Sequence, residues 1–186
     1  MINWNKHSNL SGSHALMSPS QYSWLNDDDE KFRNRVRSWE AAKRGTELHE
    51  IAADLIEHGI ALPRSKKTYN RYVNDGIGFR MRPEQLLFYS LNCFGTADTI
   101  SFDEKKGFLR IHDLKTGKMP CKLTQLEIYA ALFCLEHGIK PGDIEMELRI
   151  YQNDDILQGN PDATEILPIM DNIIHKDQIL QDMKGE

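Results

Sequence analysis

The spacing of apolar residues changes part-way along the chain. Up to about residue 74, apolar residues recur every three or four positions, the spacing that places them on one face of a helix. This spacing predicts helices over residues 27–42, 46–58 and 68–74. A helix start is also expected at Ser18-Pro19-Ser20, whereas the polar first dozen residues are expected to be loose.

From residue 86 onward the pattern becomes that of strands, first as the short apolar and aromatic run Leu86-Leu87-Phe88-Tyr89 and later as alternation of apolar with polar residues over 108–114 and 144–151. The strands predicted in this way cover residues 86–89, 96–102, 108–114 and 144–151. An amphipathic helix is predicted over residues 123–136, between the third and the fourth strand. A polar loop over 153–161 and a last helix over 162–183, with Pro168 inside it, complete the chain.

This order of elements predicts a single α/β domain over residues 1–186. The first three strands follow one another through short connections and are expected to form an antiparallel meander. The fourth strand follows a helical crossover, so it can lie parallel to a neighbour in the same mixed central sheet. Helices are expected to flank that sheet, with a helical part over residues 18–44 before it.

The composition is that of a globular protein and excludes several classes. The 186 residues carry a net charge of −5, and 40% of them are hydrophobic, yet no apolar run is long enough to span a membrane. The first residues lack the order of a signal peptide, so a cytoplasmic location is expected. The chain has only three cysteines, Cys93, Cys121 and Cys134, which are widely spaced and form no CxxC pair. This excludes a disulfide framework or a four-cysteine iron–sulfur cluster within one chain.

Basic residues are concentrated in two stretches of this acidic chain. The first stretch holds Lys31, Arg33, Arg35, Arg37, Lys43 and Arg44. The second stretch holds Arg64, Lys66, Lys67, Arg71, Arg80 and Arg82. If the two stretches shared a face they could bind a polyanion, but charge alone favours the simpler interpretation that they are solvated faces of helices.

Acidic side chains interrupt two of the predicted strands. Asp98 lies within an otherwise apolar strand, while Asp113 and Lys115 come at the end of the next strand, two residues apart and therefore on the same side. Burying two carboxylates is unfavourable unless something compensates their charge. A divalent cation that prefers oxygen ligands, Mg²⁺ or Mn²⁺, would do so, although an isolated Asp-x-Lys is more often a structural ion pair.

Three other side chains stand in order around these acids. His49 lies on the preceding helix, and Gln125 and Tyr129 lie four apart on the following one, so they share a helical face. Each also has a plain structural interpretation: a core histidine, an exposed glutamine and a core tyrosine. The functional signal therefore comes from the order of the whole set.

Taken together, these residues resemble the ordered motifs of the PD-(D/E)xK nuclease superfamily, in particular the branch with RecB-type nuclease domains and the CRISPR adaptation exonucleases. The matching segments are Gly45-Thr46-Glu47-Leu48-His49, Gly95-Thr96-Ala97-Asp98, Asp113-Leu114-Lys115-Thr116-Gly117 and Gln125-Leu126-Glu127-Ile128-Tyr129-Ala130. The resemblance covers residues 45–151 and implies a restriction-endonuclease-like core. The chain also looks similar to small nucleases encoded by bacteriophages.

The resemblance implies hydrolysis of DNA phosphodiester bonds with Mg²⁺ or Mn²⁺, by an exonuclease rather than a site-specific endonuclease. The metal ligands that it implies are His49, Asp98, Asp113 and the backbone carbonyl of Leu114. Lys115 would orient or activate the attacking water, while Gln125 and Tyr129 would position the scissile phosphate or support the lysine. The residues expected to contact DNA phosphates are Arg44, Lys43 and Arg37.

The chain departs from this family in three ways. The strand motif reads Gly-Thr-Ala-Asp in place of Pro-Asp, the branch's iron–sulfur cysteines are missing, and no helicase P-loop occurs. We therefore expect a stand-alone nuclease, or one that works with a helicase, a single-strand annealing protein or a host nuclease complex, in phage or bacterial DNA recombination or replication. The alternative is a nuclease fold without catalysis that binds DNA or protein and modulates a host nuclease complex.

Overall fold

The computed structural model describes residues 15–117 and 119–185, so the polar first dozen residues lie outside the described part. A 3₁₀ helix over Pro19–Asn26 begins at the predicted helix start, and another over Pro141–Asp143 precedes β4. The remaining elements are α1 (Asp29–Glu57), α2 (Thr68–Gly78), β1 (Arg82–Ser90), β2 (Cys93–Asp103), β3 (Phe108–Leu114), α3 (Thr124–His137), β4 (Glu145–Gln152), β5 (Asp155–Gly159) and α4 (Ala163–Gly185).

The strands form one sheet in the order β1-β2-β3-β4-β5. The first three strands make the predicted antiparallel meander. The chain then passes through α3, and β4 pairs in parallel with β3, while β5 is added antiparallel to β4. The predicted α/β class with a mixed central sheet is therefore confirmed.

The chain forms two compact units. One unit ends at Thr46 and contains the first 3₁₀ helix and the first part of α1; the other begins at Glu47 and contains the sheet and the later helices. Within the described residues, no helix combines the length and the apolar character that a membrane crossing requires.

Helices cover both faces of the sheet within the unit that begins at Glu47. Along β4, Leu148 and Ile150 enter an apolar cluster that includes residues of α3 and α4. The next residue, Tyr151, belongs to a second cluster with Tyr72 of α2. Because successive side chains of a strand point to opposite faces, the two clusters lie on the two sides of the sheet.

The two helices predicted over residues 27–42 and 46–58 are one helix, α1. Of the three residues between them, only Gly45 is a weak helix former. A single glycine lowers helix stability by about 1 kcal/mol relative to alanine, and this does not end the helix.

Helix α2 also runs further than the predicted 68–74, past Gly76 to Gly78. A Cβ added at Gly76 would lie 2.8 Å from Cδ1 of Ile56 on α1. Glycine at this position therefore lets the two helices approach closely, and packing outweighs its low helix propensity.

The segment 153–161, predicted as a loop, contains strand β5. Asn153 and Asp154 have φ angles of 53° and 63°, the left-handed conformation that joins hairpin strands and that Asn and Asp tolerate. The strand escaped prediction because it is an edge strand with mostly exposed or half-exposed side chains, so no clear alternation marks it.

We expect Leu148→Ala to lower the free energy of unfolding by about 2–5 kcal/mol, because a fully buried side chain would be replaced by a cavity. The matched control is Leu157→Ala on neighbouring β5, whose side chain is 45% exposed and whose loss should change stability by less than about 1 kcal/mol. Urea denaturation of both variants measures the difference. Equal losses would contradict the placement of Leu148 in the core.

Candidate active site

Two carboxylates meet where the ladder between β2 and β3 ends. Thr99 of β2 pairs with His112 of β3, and the two strands are antiparallel. The residue before Thr99 is Asp98 and the residue after His112 is Asp113, so both acids lie beside this last pair. Antiparallel pairing thus brings together two side chains that are distant in the sequence. Both belong to the unit that begins at Glu47.

Asp113 is the more buried member of this pair, with only 2% of its surface exposed. Its Oδ1 accepts a hydrogen bond from Nζ of Lys115 at 2.9 Å. Its Oδ2 is buried and has no hydrogen-bond partner among the residues that the structure describes. Because an unpartnered buried acceptor is unfavourable, one oxygen of Asp113 is compensated and the other is not.

Lys115 is held between the end of β3 and helix α3. Besides Asp113, its Nζ donates to Oε1 of Gln125 at 3.0 Å. Nε2 of Gln125 in turn donates to the hydroxyl oxygen of Tyr129 at 3.4 Å. The spacing of four correctly predicts that Gln125 and Tyr129 share a helical face, and together they fix the ammonium group beside Asp113.

Gly95 makes room for this arrangement. A Cβ added there would lie 3.1 Å from Cε1 of Tyr129, which is shorter than an optimal carbon–carbon contact. The glycine of the Gly-Thr-Ala-Asp segment therefore allows β2 to pack directly against the tyrosine of α3.

Asp98 bonds to helix α1 and to the backbone of β3. Its Oδ2 lies 3.3 Å from Nδ1 of His49 and accepts the backbone N–H of Leu114 at 3.0 Å. The second bond joins Asp98 to the residue that directly follows Asp113. The structure thus brings His49, Asp98, Asp113 and Leu114 together, as the motifs predict.

The pKa values of the central pair shift in the same direction for different reasons. Burial, reinforced by the charge of Asp98, raises the pKa of Asp113 above its usual range, although Lys115 acts against this. For Lys115, burial acts to lower the pKa, but the hydrogen bond and charge of Asp113 outweigh it and raise the pKa. Lys115 therefore stays protonated at neutral pH, and an additional positive charge would further stabilise ionised Asp113.

The donor atoms of this site suit a hard divalent cation. Carboxylate oxygens of Asp98 and Asp113 and the carbonyl of Leu114 are the ligand type that Mg²⁺ and Mn²⁺ prefer, and the unpartnered Oδ2 of Asp113 is an acceptor that such an ion would satisfy. Within the described residues, no three His, Cys, Asp or Glu side chains already form a ready metal site. The carboxylates are paired with His49 and Lys115, and metal binding would rearrange these pairs.

The predicted DNA contacts lie in the other unit. The first unit ends at Thr46, within α1. Before this point, α1 carries three exposed cationic side chains, Arg37, Lys43 and Arg44. Arg37 donates to Oδ1 of Asn34 at 3.0 Å. Every contact of the candidate site described above lies within the unit that begins at Glu47, so the role of these three residues stays a prediction.

Glu84 is an acidic neighbour of the site that the sequence patterns do not mark. It lies on β1 between two residues that pair with β2, Pro83 with Thr99 and Gln85 with Ala97, and so stands opposite Asp98. Its φ of 48° is left-handed, which is uncommon for a residue other than glycine. Burial and the charge of Asp98 raise the pKa of Glu84. A strand prediction that begins at residue 86 leaves this position outside the sheet.

Comparison of the chain with models of known protein families, with curated proteins and with solved structures gave no match. The functional interpretation therefore depends on the geometry of the site and on the order of the motifs along the chain.

We expect Asp98→Asn to lower the pKa of His49, which can be followed by NMR titration of the imidazole. The hydrogen bond to Asp98 is the largest influence on this pKa and raises it above the usual value of 6.5. Because the pKa is raised in the folded state, the stabilisation is fully present below about pH 6.5 and is lost as the pH rises through the folded-state pKa.

The control for this titration is Asp54→Asn, which removes the same charge from an exposed position on the same helix. It should leave the pKa of His49 close to the wild-type value. An equal effect of the two substitutions would show that the direct pair with Asp98 does not control the imidazole.

Proposed function

We propose that the chain is a metal-dependent deoxyribonuclease that hydrolyses DNA phosphodiester bonds with Mg²⁺ or Mn²⁺. The observation that carries the proposal is Asp113, a buried carboxylate with one oxygen bonded to Lys115 and the other without a partner. A structural ion pair gives no reason for the second oxygen, or for Asp98 and His49 beside it. A divalent cation at this point accounts for both.

In this proposal Asp98, Asp113, His49 and the carbonyl of Leu114 hold the cation. When bound, the cation would lower the pKa of a water molecule and neutralise charge that develops on the phosphate. Lys115, protonated and fixed at 2.9 Å from Asp113, orients the attacking water or stabilises phosphate charge.

The residues of α3 have a supporting role in the proposed reaction. Gln125 keeps the Nζ of Lys115 in place through its carbonyl oxygen, and Tyr129 holds the amide of Gln125. Both side chains are also polar groups that could contact the scissile phosphate. Positioning of this kind matters because displacing a reacting group by about 1 Å can slow catalysis on the order of 100-fold.

The proposal extends to an exonuclease that acts in the cytoplasm, that of a bacterial host if a phage encodes the chain. It would act alone or with a helicase, an annealing protein or a host nuclease complex in recombination or replication. The motif resemblance supports these finer statements.

One observation favours a second candidate, a non-catalytic module that binds DNA or protein. The carboxylates are already paired with His49 and Lys115, and the described residues contain no ready metal site. Such a module would tolerate the loss of Lys115, whereas a nuclease would not.

We expect Mg²⁺- or Mn²⁺-dependent loss of end-labelled linear DNA, with closed circular DNA left intact and no reaction in EDTA. Asp113→Asn and Lys115→Met should each reduce the rate on the order of 100-fold or more, since each removes a charged group from the reacting centre. Cutting of the circular substrate would replace the exonuclease mode by an endonuclease mode.

The matched controls are Asp171→Asn and Lys140→Met, which make the same chemical changes at exposed positions outside the site. Both controls should retain wild-type rates. If wild-type protein is folded and inert in both metals, or if the two site variants cleave like their controls, the nuclease proposal fails and the binding module takes its place.

A further inference from the structure

The second basic stretch of the chain begins in the segment between α1 and α2. Four cationic residues lie between the end of α1 and the first turn of α2: Arg64, Lys66, Lys67 and Arg71. No acidic residue occurs between Glu57 and Asp75. The segment is therefore a local concentration of positive charge on an acidic protein.

Two acidic side chains beside this segment, Asp154 and Asp75, are already paired. Oδ2 of Asp154 accepts a hydrogen bond from Nζ of Lys67 at 2.8 Å, and its Oδ1 accepts the backbone N–H of Thr68 at 3.2 Å. Oδ2 of Asp75 pairs with Nη1 of Arg149 at 3.2 Å and accepts a hydrogen bond from the hydroxyl of Tyr151 at 2.6 Å. Of the four cations, Lys67 is thus neutralised within the chain.

The other three cations keep their charge available. Among the described residues, Arg64, Lys66 and Arg71 have no carboxylate within ion-pair distance. Arg64 and Lys66 are exposed and Arg71 is half-buried. All three line one groove of about 610 Å³ between the segment and α2. Asn74 and Asp75 also line it, and the carboxylate of Asp75 is paired with Arg149.

Hydrogen bonds fix the shape of this groove. The side chain of Asn74 accepts the backbone N–H of Leu62 at 2.8 Å and donates to its carbonyl at 2.9 Å. Asn70 donates to the carbonyl of Pro63 at 2.8 Å. The segment is therefore attached to α2 immediately before its cations, and holding a ligand there requires little further ordering of the chain.

Contacts connect this segment with the end of the sheet that carries the candidate active site. Lys67, the neighbour of Lys66, pairs with Asp154 in the turn directly after β4. Near that same end of β4, the carbonyl of Tyr151 accepts the backbone N–H of Lys115 at 2.9 Å. The segment that forms one wall of the groove is therefore bonded to the turn that follows this strand end.

We propose that the groove lined by Arg64, Lys66 and Arg71 binds the sugar–phosphate backbone of a nucleic acid. Three unpaired cations in a fixed concave surface match the regular negative charge of consecutive phosphates. The choice of nucleic acid over another polyanion rests on the proposed function, because the candidate active site of the same chain would act on a phosphodiester. The contacts are to the backbone, so the groove contributes affinity without base specificity.

The test is fluorescence anisotropy with a labelled single-stranded oligonucleotide and its duplex, in EDTA so that binding is measured without cleavage. The variant is the triple substitution Arg64→Gln, Lys66→Gln and Arg71→Gln. The control is the triple substitution Lys105→Gln, Lys140→Gln and Lys176→Gln, which removes the same charge from exposed positions. Lys105 and Lys140 lie in connections at the opposite end of β3 and β4.

Log affinity falls as log salt concentration rises, and each phosphate contact contributes about 0.7 to 0.9 to the steepness of this fall. We therefore expect the fall to be shallower by about 2 to 3 in the groove variant, which loses three such contacts. The control should keep nearly the wild-type slope. Equal slopes for the two triple variants, or displacement of the oligonucleotide by polyglutamate of the same charge as readily as by unlabelled DNA, would overturn the proposal.

Two further measurements keep the result decisive. Lys66→Glu alone, at an exposed position, should weaken binding even if the triple variant does not fold, and wild-type affinity in that variant would count against the groove. Cleavage by the wild-type protein and by the site variant Asp113→Asn is scored separately. If binding depends on the groove but the wild-type protein does not cleave DNA, the groove proposal is upheld and the nuclease proposal is rejected. If the protein cleaves DNA but the groove variant binds with the wild-type salt dependence, the nuclease proposal is upheld and the groove proposal is rejected.

Discussion

The burial of Asp113 is the constraint on which the rest of the site depends. An ionised carboxylate away from water is unfavourable unless its oxygens are compensated. The surrounding chain supplies one partner, Lys115, and places a second acid, Asp98, on the neighbouring strand. The bond between His49 and Asp98 relieves part of the repulsion between the two acids. The architecture thus keeps one carboxylate oxygen of Asp113 without a hydrogen-bond partner at the end of β3, among the residues that the structure describes.

The opposite face of the sheet treats its buried charges differently. Glu147 bonds to Arg110 and Arg149. Its pKa is lowered to about 2, chiefly by His112 and further by Arg149 and Arg110. Arg149 continues to Asp75 of α2. In this network most of the charges have partners of opposite sign, and it fastens α2 to the sheet. Two buried nitrogen atoms of this network, Nε2 of His112 and Nε of Arg149, also have no hydrogen-bond partner among the described residues. Asp113 differs because its unpartnered atom is a carboxylate oxygen and its neighbour Asp98 carries the same charge.

Local patterns predict much of the site because its residues lie on regular elements. The spacing of two between Asp113 and Lys115 and of four between Gln125 and Tyr129 specifies which side chains share a side of a strand or a helix. The pairing of Asp98 with His49 depends on tertiary packing, and the order of motifs predicts it where periodicity does not. The sequence pattern predicts β2 to within three residues at each end, and alternation predicts β3 with the bounds that the structure has.

The features that escaped prediction depend on the backbone or on the partners of an element. Glu84 adopts a left-handed conformation that no spacing encodes. The edge strand β5 forms because β4 offers it hydrogen bonds, although its own side chains have little apolar alternation. Likewise, Gly76 signals a helix end in isolation and a close helix contact in the folded protein.

The parallel alignment of β3 with β4 makes the site sensitive to residues that are not part of it. The alignment places Ile111 beside Leu148 and His112 beside Arg149, so both strands alternate in step between an apolar and a charged face. A slip of one residue would turn Arg149 into the apolar cluster and Leu148 toward α2. Substitutions that blur this alternation on β4 would therefore disable the site by displacing Lys115, with every one of its chemical groups still present.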